Sequence, residues 1–406
     1  MFEVFDGSFT QQEPIPEEGI AAAMAVLQHG RLHRYNVTDA EHGETALLEQ
    51  EFAAFTGAKY ALAVASGGYA IGCALRAIGV KAGDTVLSNG FTLAPVPGAI
   101  ASLGAEPLFV ETADNLTIDL DDLEAQIEAS AAKYLLLSHM RGHLCDMDRL
   151  MDICDASGVL VVEDCAHTMG ADWKGTPSGR HGIIGCYSCQ TYKHVNSGEG
   201  GLMVSDDAQI MARATIMSGS YMLYERHLAS PPADAFEQVK YVTPNISGRM
   251  DNLRAAILRP QLAKLPQQVE AWNARYAAME AGLRNAPGLS IIERDPRGVF
   301  VGSSIQFRLP KASVDEIEVF TSRCAARGVE LKWFGAAEPV AFTSRYDSWR
   351  YARPQALART DEILSGLLDM RLPLTFSVED CDLIARIIQS EARALHGRAA
   401  LASQSG

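Results

Sequence analysis

A lysine and an aspartate each follow an apolar run in this sequence, at positions where their side chains could take part in chemistry. Residues 188–201 read SCQTYKHVNSGEGG, which places Lys193 between a strand-like run and a glycine-rich loop. Asp164 ends the run VVED, and His167 follows three residues later. A lysine amine can bond covalently to a carbonyl group, and a carboxylate can keep a ring nitrogen protonated. The pair is typical of a site that anchors a cofactor.

A turn suited to a phosphate group follows an earlier apolar run. The segment AVASGGYA places Ser66, Gly67 and Gly68 directly before a predicted helix. Backbone amides at a helix start, aligned with the helix dipole, form an anion site. Ser188 adds a hydroxyl near the end of another run. An anion site, a carboxylate and a lysine on one sheet edge together suit pyridoxal phosphate (PLP).

Each of these residues alone also fits an ordinary structural role. An SGG segment is as often a plain turn as a phosphate site. Asp164 could cap the segment that follows it, and His167 could be a hydrogen-bonded core histidine. Lys193 taken alone is typical of a solvated surface. The order of these residues and their strand-end placement favour the cofactor hypothesis, because several coincidences would otherwise have to occur together.

The elements that must position these residues are seven short apolar runs with helical patterns in most of the gaps. Most runs are apolar on successive residues, which indicates strands covered on both faces. This alternation predicts an α/β fold with a mostly parallel seven-stranded sheet between helices. The last two runs leave no room for a crossover helix, so the alternation breaks at the lysine loop. The runs are 60–66, 84–89, 105–111, 133–139, 158–164, 183–189 and 200–206.

The pattern changes near residue 250. Residues 1–250 are predicted to form a large PLP-binding domain, whose first 30 residues could pack on the smaller domain. Residues 251–395 are predicted to form a linking helix and a small α+β domain, and 396–406 a frayed tail. The linking helix is expected to be interrupted at Pro260 and Pro266.

The composition and net charge of the chain exclude several classes of protein. The 406 residues carry a formal net charge of −15 with 48% hydrophobic and 21% charged residues, as in soluble globular proteins. No basic stripe is visible, which argues against nucleic acid as a partner. Neither a signal-peptide pattern nor an apolar run of the roughly 20 residues that span a bilayer is present. The sequence predicts a cytoplasmic enzyme.

Eight cysteines are scattered along the chain. Only Cys186 and Cys189 have the C-x-x-C spacing, and no second pair accompanies them. A zinc or redox site there is the alternative to buried reduced thiols, which we favour. We therefore predict no metal.

The central block, VVEDCAHTMGADWKGTPSGRHGIIGCYSCQTYKHVNSGEGGLMVSDD, resembles that of the DegT/DnrJ/EryC1/StrS aminotransferases. The segments LLEQEFAAFTGAKYALAVASGGYAIGCALRAIG and GRMDNLRAAILRPQL are similar to flanking blocks of that family, and the resemblance covers roughly residues 10–395. It implies the fold-type-I architecture of PLP enzymes that mostly aminate keto sugars.

The resemblance also implies roles for individual residues. Lys193 would carry the Schiff base and act as general acid and base. Asp164 would pair with the pyridine nitrogen, and His167 occupies a position, usually glutamine, that contacts the phenolic oxygen of the ring. Ser188 and the Ser66–Gly67–Gly68 turn would bind the phosphate.

The sequence departs from the family pattern at three cofactor positions. The usual SGTAAL turn reads SGGYAI, so Gly68 replaces a threonine and Tyr69 follows it. An aromatic residue that stacks on the ring is replaced by Leu93, unless Phe91 shifts in register. An asparagine that reaches the partner subunit's phosphate is displaced to Asn245.

These departures affect the substrate side more than the cofactor side. Ser247 takes the place expected for the displaced asparagine. Arg249, Tyr69 and the exposed segment that begins at Arg34 are candidates for binding substrate or the carboxylate of the donor. The family resemblance implies a homodimer with its active site at the subunit interface.

The predicted activity is transfer of an amino group from an amino-acid donor, such as glutamate or glutamine, to a keto or aldehyde group of a sugar-derived intermediate. The alternative within PLP chemistry is a lyase, dehydratase or racemase. Relatives that dehydrate sugars replace the lysine with histidine, whereas Lys193 is retained. A non-catalytic regulatory homologue is a third reading, although such a protein would be expected to lose the lysine or Asp164.

Overall fold

The computed structural model describes residues 3–38, 41–341 and 343–404. The first part of the chain alternates strands with helices. In chain order its elements are α1 (Glu17–His29), α2 (Glu44–Thr56), β1 (Tyr60–Val64), α3 (Gly67–Ala77), β2 (Thr85–Asn89), α4 (Pro95–Ser102), β3 (Glu106–Val110), α5 (Leu120–Ser130), β4 (Tyr134–Ser138), a 3-10 turn (Met140–Gly142), α6 (Met147–Ser157), β5 (Leu160–Asp164), β6 (Asp172–Trp173), β7 (Thr176–Pro177), β8 (Ile184–Ser188), β9 (Gly201–Ser205), α7 (Ala208–Ser218), a 3-10 turn (Tyr224–Arg226) and α8 (Ala233–Glu237).

The second part begins with a long helix and continues as a smaller α+β unit. Its elements are α9 (Asn252–Leu283), β10 (Ser290–Ile291), β11 (Gly298–Val299), β12 (Ser304–Arg308), α10 (Val314–Ala326), β13 (Lys332–Trp333), a 3-10 turn (Tyr346–Ser348), α11 (Ala358–Ser365), β14 (Leu367–Arg371) and α12 (Val378–Gln404).

The predicted seven-stranded sheet is confirmed, and it is mostly parallel. Within residues 60–205 the strand order is β1-β9-β8-β5-β4-β2-β3. Pairs β2–β3, β2–β4, β4–β5 and β5–β8 are parallel, whereas β9 runs antiparallel to both β8 and β1. The reversal at β9 follows the lysine loop, where the sequence leaves no room for a crossover. The carboxyl ends of the other strands therefore meet at one edge, which is the ligand-binding edge of such sheets.

The small domain has its own sheet and core. Its strands follow the order β10-β12-β14-β13 within residues 290–371, and all neighbours are antiparallel. Phe5 and Phe9, from the start of the chain, lie in this core beside residues of β12, β14, α9, α10 and α12. The Phe5 amide also donates to the Arg327 carbonyl at 2.9 Å. The first residues of the chain thus pack on the second part.

One expectation about the second part is wrong. Helix α9 continues through Pro260 and Pro266 instead of breaking there. Each proline removes a hydrogen bond, at a cost of about 3 kcal/mol in a helix interior. Leu262 and Leu265 on this helix are buried in the core that it shares with α2, and this packing opposes that cost. The expected tail is helical over residues 396–404, as the end of α12, while 405–406 lie outside the described residues.

The part of the chain that the structure describes contains neither a disulfide nor a membrane-spanning helix. All eight cysteines lie within the described ranges, and each is buried and unpaired. Among the helices of residues 3–38, 41–341 and 343–404, none is both long and apolar enough to cross a bilayer.

Candidate active site

A cavity of about 820 Å³ opens at the carboxyl edge of the large sheet, between that sheet and the small domain. Strand ends and the start of α3 contribute one side of the cavity, while β13 and β14 contribute the other. Most of the sequence-predicted site residues meet in it. They are Ser66, Gly67, Gly68, Leu93, Asp164, His167, Ser188 and Lys193.

Lys193 lies in the loop between β8 and β9, with its amine inside the cavity. Its Nζ donates to His167 Nε2 at 2.9 Å. Burial lowers the pKa of Lys193 to about 8, although the charge of Asp164 opposes this shift. Burial and the nearby lysine also hold the pKa of His167 well below its ordinary value, so His167 is neutral and can accept this hydrogen bond. The lysine is therefore uncharged near neutral pH more often than an exposed lysine is, as a nucleophilic amine requires.

Asp164 is the last residue of β5, and its side chain faces the same cavity. Ser138 Oγ donates to its Oδ2 at 3.1 Å, and the Ala166 amide donates to its Oδ1 at 3.1 Å. Burial raises the pKa of Asp164, and the charge of Lys193 counteracts it only in part. A protonated ring nitrogen placed against this carboxylate would favour its charged form.

Glu163, the neighbour of Asp164, points to the opposite face of the sheet and holds the strand end in place. Its carboxylate accepts the backbone amides of Gly179, His181 and Gly182 at 2.6–2.8 Å. It also contacts His139 Nε2 at 2.9 Å. Burial alone would raise the pKa of Glu163, but the hydrogen bonds hold it below its ordinary value. Sequence reasoning missed this role because the partners lie in a loop without a recognisable pattern.

His139 and Glu163 also lie close to Cys165, with donor atoms of all three residues within 4.8 Å of one another. Such a group could hold a metal ion. Both carboxylate oxygens of Glu163 already accept N–H donors, however, so the cluster is explained as a structural hydrogen-bond network. The absence of a metal stays a prediction.

The start of α3 forms a cup suited to a phosphate group. Ser66 caps the helix by accepting the Tyr69 amide at 3.1 Å, and the amides of Gly67 and Gly68 begin the helix, where no intrahelical acceptor exists. A Cβ added to Gly67 would lie 2.8 Å from Ser188 Cβ, so glycine is needed there for the close approach of β8. The cup therefore combines helix-start amides with the hydroxyls of Ser66 and Ser188.

The structure shows the surroundings of two residues that depart from the family pattern, Gly68 and Leu93. A Cβ added to Gly68 would meet only Pro95, at 3.9 Å, so the cup has room for the missing threonine. Leu93 lines the cavity, whereas Phe91 is buried against Phe334 with ring centroids 5.0 Å apart. Of the two alternatives considered for the residue beside the ring, Leu93 is the one in the cavity.

Arg34 and Tyr69 do not line this cavity. The expectation that Arg34 lies in an exposed segment is wrong, because it is only 4% exposed and donates from Nη1 and Nη2 to Glu49 at 2.8 Å each. The hydroxyl of Tyr69 donates to the Met217 carbonyl at 3.0 Å, and its ring packs on Gly248. Both side chains make contacts within the chain, and their role in binding a substrate stays a prediction.

Asn245 and Arg249 lie near each other at the protein surface, outside the cavity of their own chain. Asn245 is exposed and accepts the Ser247 amide at 3.1 Å. Arg249 Nη1 donates to the Gly219 carbonyl at 3.2 Å, and its guanidinium lies 5.1 Å from the Tyr221 ring centroid. Their contribution to a cofactor site would have to be made to a second subunit.

The structure also reveals charged cavity residues that sequence reasoning did not select. They come from the 3-10 turn after β4 and from two strands of the small domain, so no local pattern links them. They are Arg141, Lys332, Asp369 and Arg371, together with Glu199 and Glu330 from loops.

Comparison with known proteins identifies the family. The model of the DegT/DnrJ/EryC1/StrS aminotransferase family matches residues 15–389. This chain belongs to that family. The 3-amino-5-hydroxybenzoate synthase of Amycolatopsis mediterranei strain S699 is 29% identical, over 79% of this chain and 82% of the relative. The L-glutamine:2-deoxy-scyllo-inosose aminotransferase of Streptomyces kanamyceticus is also 29% identical, over 62% of this chain and 59% of the relative.

A solved structure agrees with this assignment. The crystal structure of S. venezuelae DesV in complex with a ketimine intermediate is 26% identical and superposes with a TM-score of 0.77, over 92% of this chain and 94% of that one. The protein is therefore a fold-type-I, PLP-dependent aminotransferase. The cavity fits PLP, since the cup at α3 suits its phosphate and Asp164 and Lys193 are buried where ring and aldehyde require partners.

Proposed function

We propose that this aminotransferase moves an amino group from glutamate or glutamine to a keto or aldehyde group of a sugar-derived or cyclitol intermediate. The observation that carries the transaminase chemistry is the 2.9 Å contact between Lys193 and His167 in the cavity that also contains Asp164. The acceptor class is supported by the names of the relatives, which act on an inosose or produce an amino-hydroxybenzoate.

The residues of the chain would divide the work between binding and proton transfer. Bound PLP supplies an electron sink for the carbon that loses a proton. With PLP bound, Asp164 would hold the ring nitrogen protonated and His167 would contact the phenolic oxygen. Lys193 would anchor the cofactor, and its amine, when free, would hold and move a proton at the reacting carbon of the substrate. Its lowered pKa suits this work near neutral pH.

The remaining cavity residues would fix the cofactor in place. Ser66, Gly67, Gly68 and Ser188 bind its phosphate through amides and hydroxyls. Leu93, which lines the cavity where the usual aromatic residue is absent, would contact the ring of the cofactor. An aliphatic side chain excludes water from the ring without fixing its tilt by stacking.

The alternative activities are not favoured. A dehydratase of this family carries histidine in place of the lysine, and a regulatory homologue would not need the lysine–aspartate pair. Both Lys193 and Asp164 are present, and the structure brings them into one cavity.

We further propose a cytoplasmic homodimer in which Asn245 and Arg249 face the cofactor site of the second subunit. Their position at the surface, outside the cavity of their own chain, supports this arrangement.

A half-reaction tests the activity. Holoenzyme mixed with glutamate or glutamine, without acceptor, should lose the visible absorbance of lysine-bound cofactor as the aminated cofactor forms. The Lys193→Ala variant has no lysine-bound band, so its half-reaction is followed by the appearance of the aminated cofactor. This should form at least roughly 10²-fold more slowly, since a positioned acid–base group contributes 10²–10⁴-fold. The transaminase proposal fails if no amino acid produces this change in the wild-type protein.

A further inference from the structure

The residues on either side of Lys193 in the sequence both contact the small domain. Tyr192 lies against Arg371 of β14, whose guanidinium carbon is 4.2 Å from the centroid of the tyrosine ring. His194 Nε2 lies 3.0 Å from the Oγ of Ser303, the residue that precedes β12. The loop that carries the lysine connects two strands of the large sheet, yet the small domain holds it on both sides of the lysine.

His194 lines a second cavity, of about 50 Å³, which shares Lys193 with the cofactor cavity. The histidine is buried, and its ring centroid lies 5.1 Å from that of Trp272 on α9. Burial lowers the pKa of His194 to about 3, and the charge of Lys193 acts in the same direction, while a hydrogen bond with the Met169 backbone opposes them. The imidazole is therefore uncharged near neutral pH.

The hydrogen bonds assign a role to each nitrogen of this ring. A neutral imidazole has one N–H donor and one nitrogen that only accepts. The bond with the Met169 backbone favours the charged form of the ring, so the ring donates and the Met169 carbonyl accepts. Nε2 is then the accepting nitrogen, and the hydroxyl of Ser303 donates to it. The His194 ring thus links the segment between β5 and β6 to the small domain, which an apolar side chain of similar size could not do.

A second contact holds the same loop two residues after the histidine. Gln261 of α9 accepts the Asn196 amide at Oε1 over 2.9 Å and donates from Nε2 to the Asn196 carbonyl at 2.8 Å. Gln261 is buried, so these bonds are shielded from water. The chain on the carboxyl side of Lys193 is therefore fixed at two points, which lowers the entropy that the lysine must lose to reach a bound cofactor.

We propose that His194 is a positioning residue, which ties the backbone of Lys193 to the small domain through Ser303 so that the lysine amine meets the cofactor. This inference rests on the proposed role of Lys193 as the anchor of PLP. In that step the amine condenses with the PLP aldehyde, so that a C–N double bond forms and one water leaves. His194 takes no part in this exchange of atoms, and it acts only through its neighbour.

The rate of bond formation between apoprotein and PLP separates positioning from binding. The limiting first-order rate at saturating PLP should fall about 2- to 10-fold in His194→Leu and in Ser303→Ala, as expected for the loss of a neutral hydrogen bond. The half-saturating PLP concentration should stay unchanged, because the phosphate cup at α3 lies outside these contacts. Rates are compared well above the Lys193 pKa of about 8, so that a changed fraction of neutral amine does not account for the loss.

Further variants make the test specific to this hydrogen bond. His194→Gln should recover part of the rate, because its amide can still accept from the Ser303 hydroxyl. The double variant His194→Leu/Ser303→Ala should lose no more than His194→Leu alone, since both changes remove the same bond. The matched control is Ser197→Ala, which removes a hydroxyl of the same loop that donates to the Glu199 carbonyl at 2.8 Å and should react as the wild type does.

Circular dichroism and the thermal midpoint of each apoprotein check folding, and Ser303→Ala decides the outcome if His194→Leu does not fold. The proposal is overturned if the folded variants react at the wild-type rate, or if Ser197→Ala is slowed as much as they are. It is also overturned if only the half-saturating PLP concentration changes, because His194 would then affect binding without positioning the amine.

Borohydride reduction followed by peptide mass spectrometry identifies the lysine that is bonded to the cofactor. In the wild type this lysine should be Lys193. Wild-type protein in which another lysine, or none, is bonded would refute the proposed function itself, whereas the rates of the variants test His194 alone.

Discussion

Lys193 is a cation in a cavity that also contains Arg141 and Arg371, and this crowding shapes its reactivity. Only the neutral amine attacks the aldehyde of PLP. Because burial lowers its pKa from 10.5 to about 8, recombination of apoprotein with PLP should accelerate as the pH rises from 6 and level off above about 8. Stopped-flow absorbance measures the rate, with Lys193→Arg as a control that forms no lysine-bound band. A midpoint near the ordinary lysine value would contradict the effect of burial.

Glu49 illustrates how a single buried carboxylate can support several segments. It accepts two hydrogen bonds from Arg34, one from the Ala63 amide, and contacts His227 Nδ1 at 3.0 Å. Glu49→Gln should lower the free energy of unfolding by about 3 to 5 kcal/mol, since it leaves Arg34 buried without a counter-charge. Denaturant unfolding measures the loss, and Glu18→Gln, in an exposed pair with Lys264, should leave the midpoint unchanged.

The pKa of Glu49 also predicts how the stability of the fold changes at low pH. Burial raises the pKa of Glu49, but Arg34 and His227 outweigh this and hold it at about 2, below the ordinary value of 4.5. A depressed carboxylate pKa stabilises the fold above the unfolded pKa, so this stabilisation is lost as the pH falls from about 4.5 towards 2. The Glu49→Gln variant should lack that part of the acid dependence.

At the residue scale, the sequence predicted site residues that stand at the ends of strands and at a helix start. Lys193 and Asp164 follow buried runs, and parallel strands bring such ends to one edge. Arg141 and Arg371 could not be predicted, because only the docking of the small domain places them beside the cofactor cavity. Arg34 was misassigned because a charged residue in a polar segment resembles a solvated one, and its partner lies in the next helix.

At the scale of elements, the start of α3 controls how tightly the phosphate is bound. Gly68→Thr should bind PLP about tenfold more tightly, since space is available and a hydrogen bond to a charged group contributes roughly 1.5–3 kcal/mol. Gly67→Ala is the matched opposite and should bind more weakly, because its Cβ would crowd Ser188. Fluorescence titration of the apoproteins measures both. Equal affinities in the two variants would show that α3 does not form the phosphate cup.

The elements themselves were largely predictable. Each of the seven apolar runs became a strand, because buried parallel strands need apolar residues on both faces and leave a strong signal. The predicted interruption of α9 at its prolines was wrong. Local helix propensity does not include the packing of this helix against neighbouring elements, which can override it. The two-residue strands β6, β7, β10, β11 and β13 have too few residues for a periodic pattern to be visible.

At the scale of the whole molecule, the proposed dimer makes its own prediction. Lys193→Ala and Asn245→Asp should each be inactive or strongly impaired alone. After subunit exchange, hybrid dimers contain one intact site, so roughly a quarter of the wild-type activity should return. Self-mixed variants are the control, and light scattering checks the dimer mass. If no activity returns from exchanged hybrids, Asn245 does not serve the neighbouring subunit.

The reversal of β9 has a consequence for the order in which the molecule folds. The loop 189–200 that carries Lys193 is the shortest connection between paired strands of the large sheet in the described residues. Closing a short loop costs less chain entropy than closing a long one. We therefore expect the β8–β9 hairpin to be among the first pairings of this sheet to form, so that the lysine loop is enclosed before the distant strands β1 and β3 complete the edges. Lys193, on which the chemistry depends, thus lies in a loop closed by the β8–β9 pairing. The other strand pairings of this sheet join residues that are farther apart in the sequence.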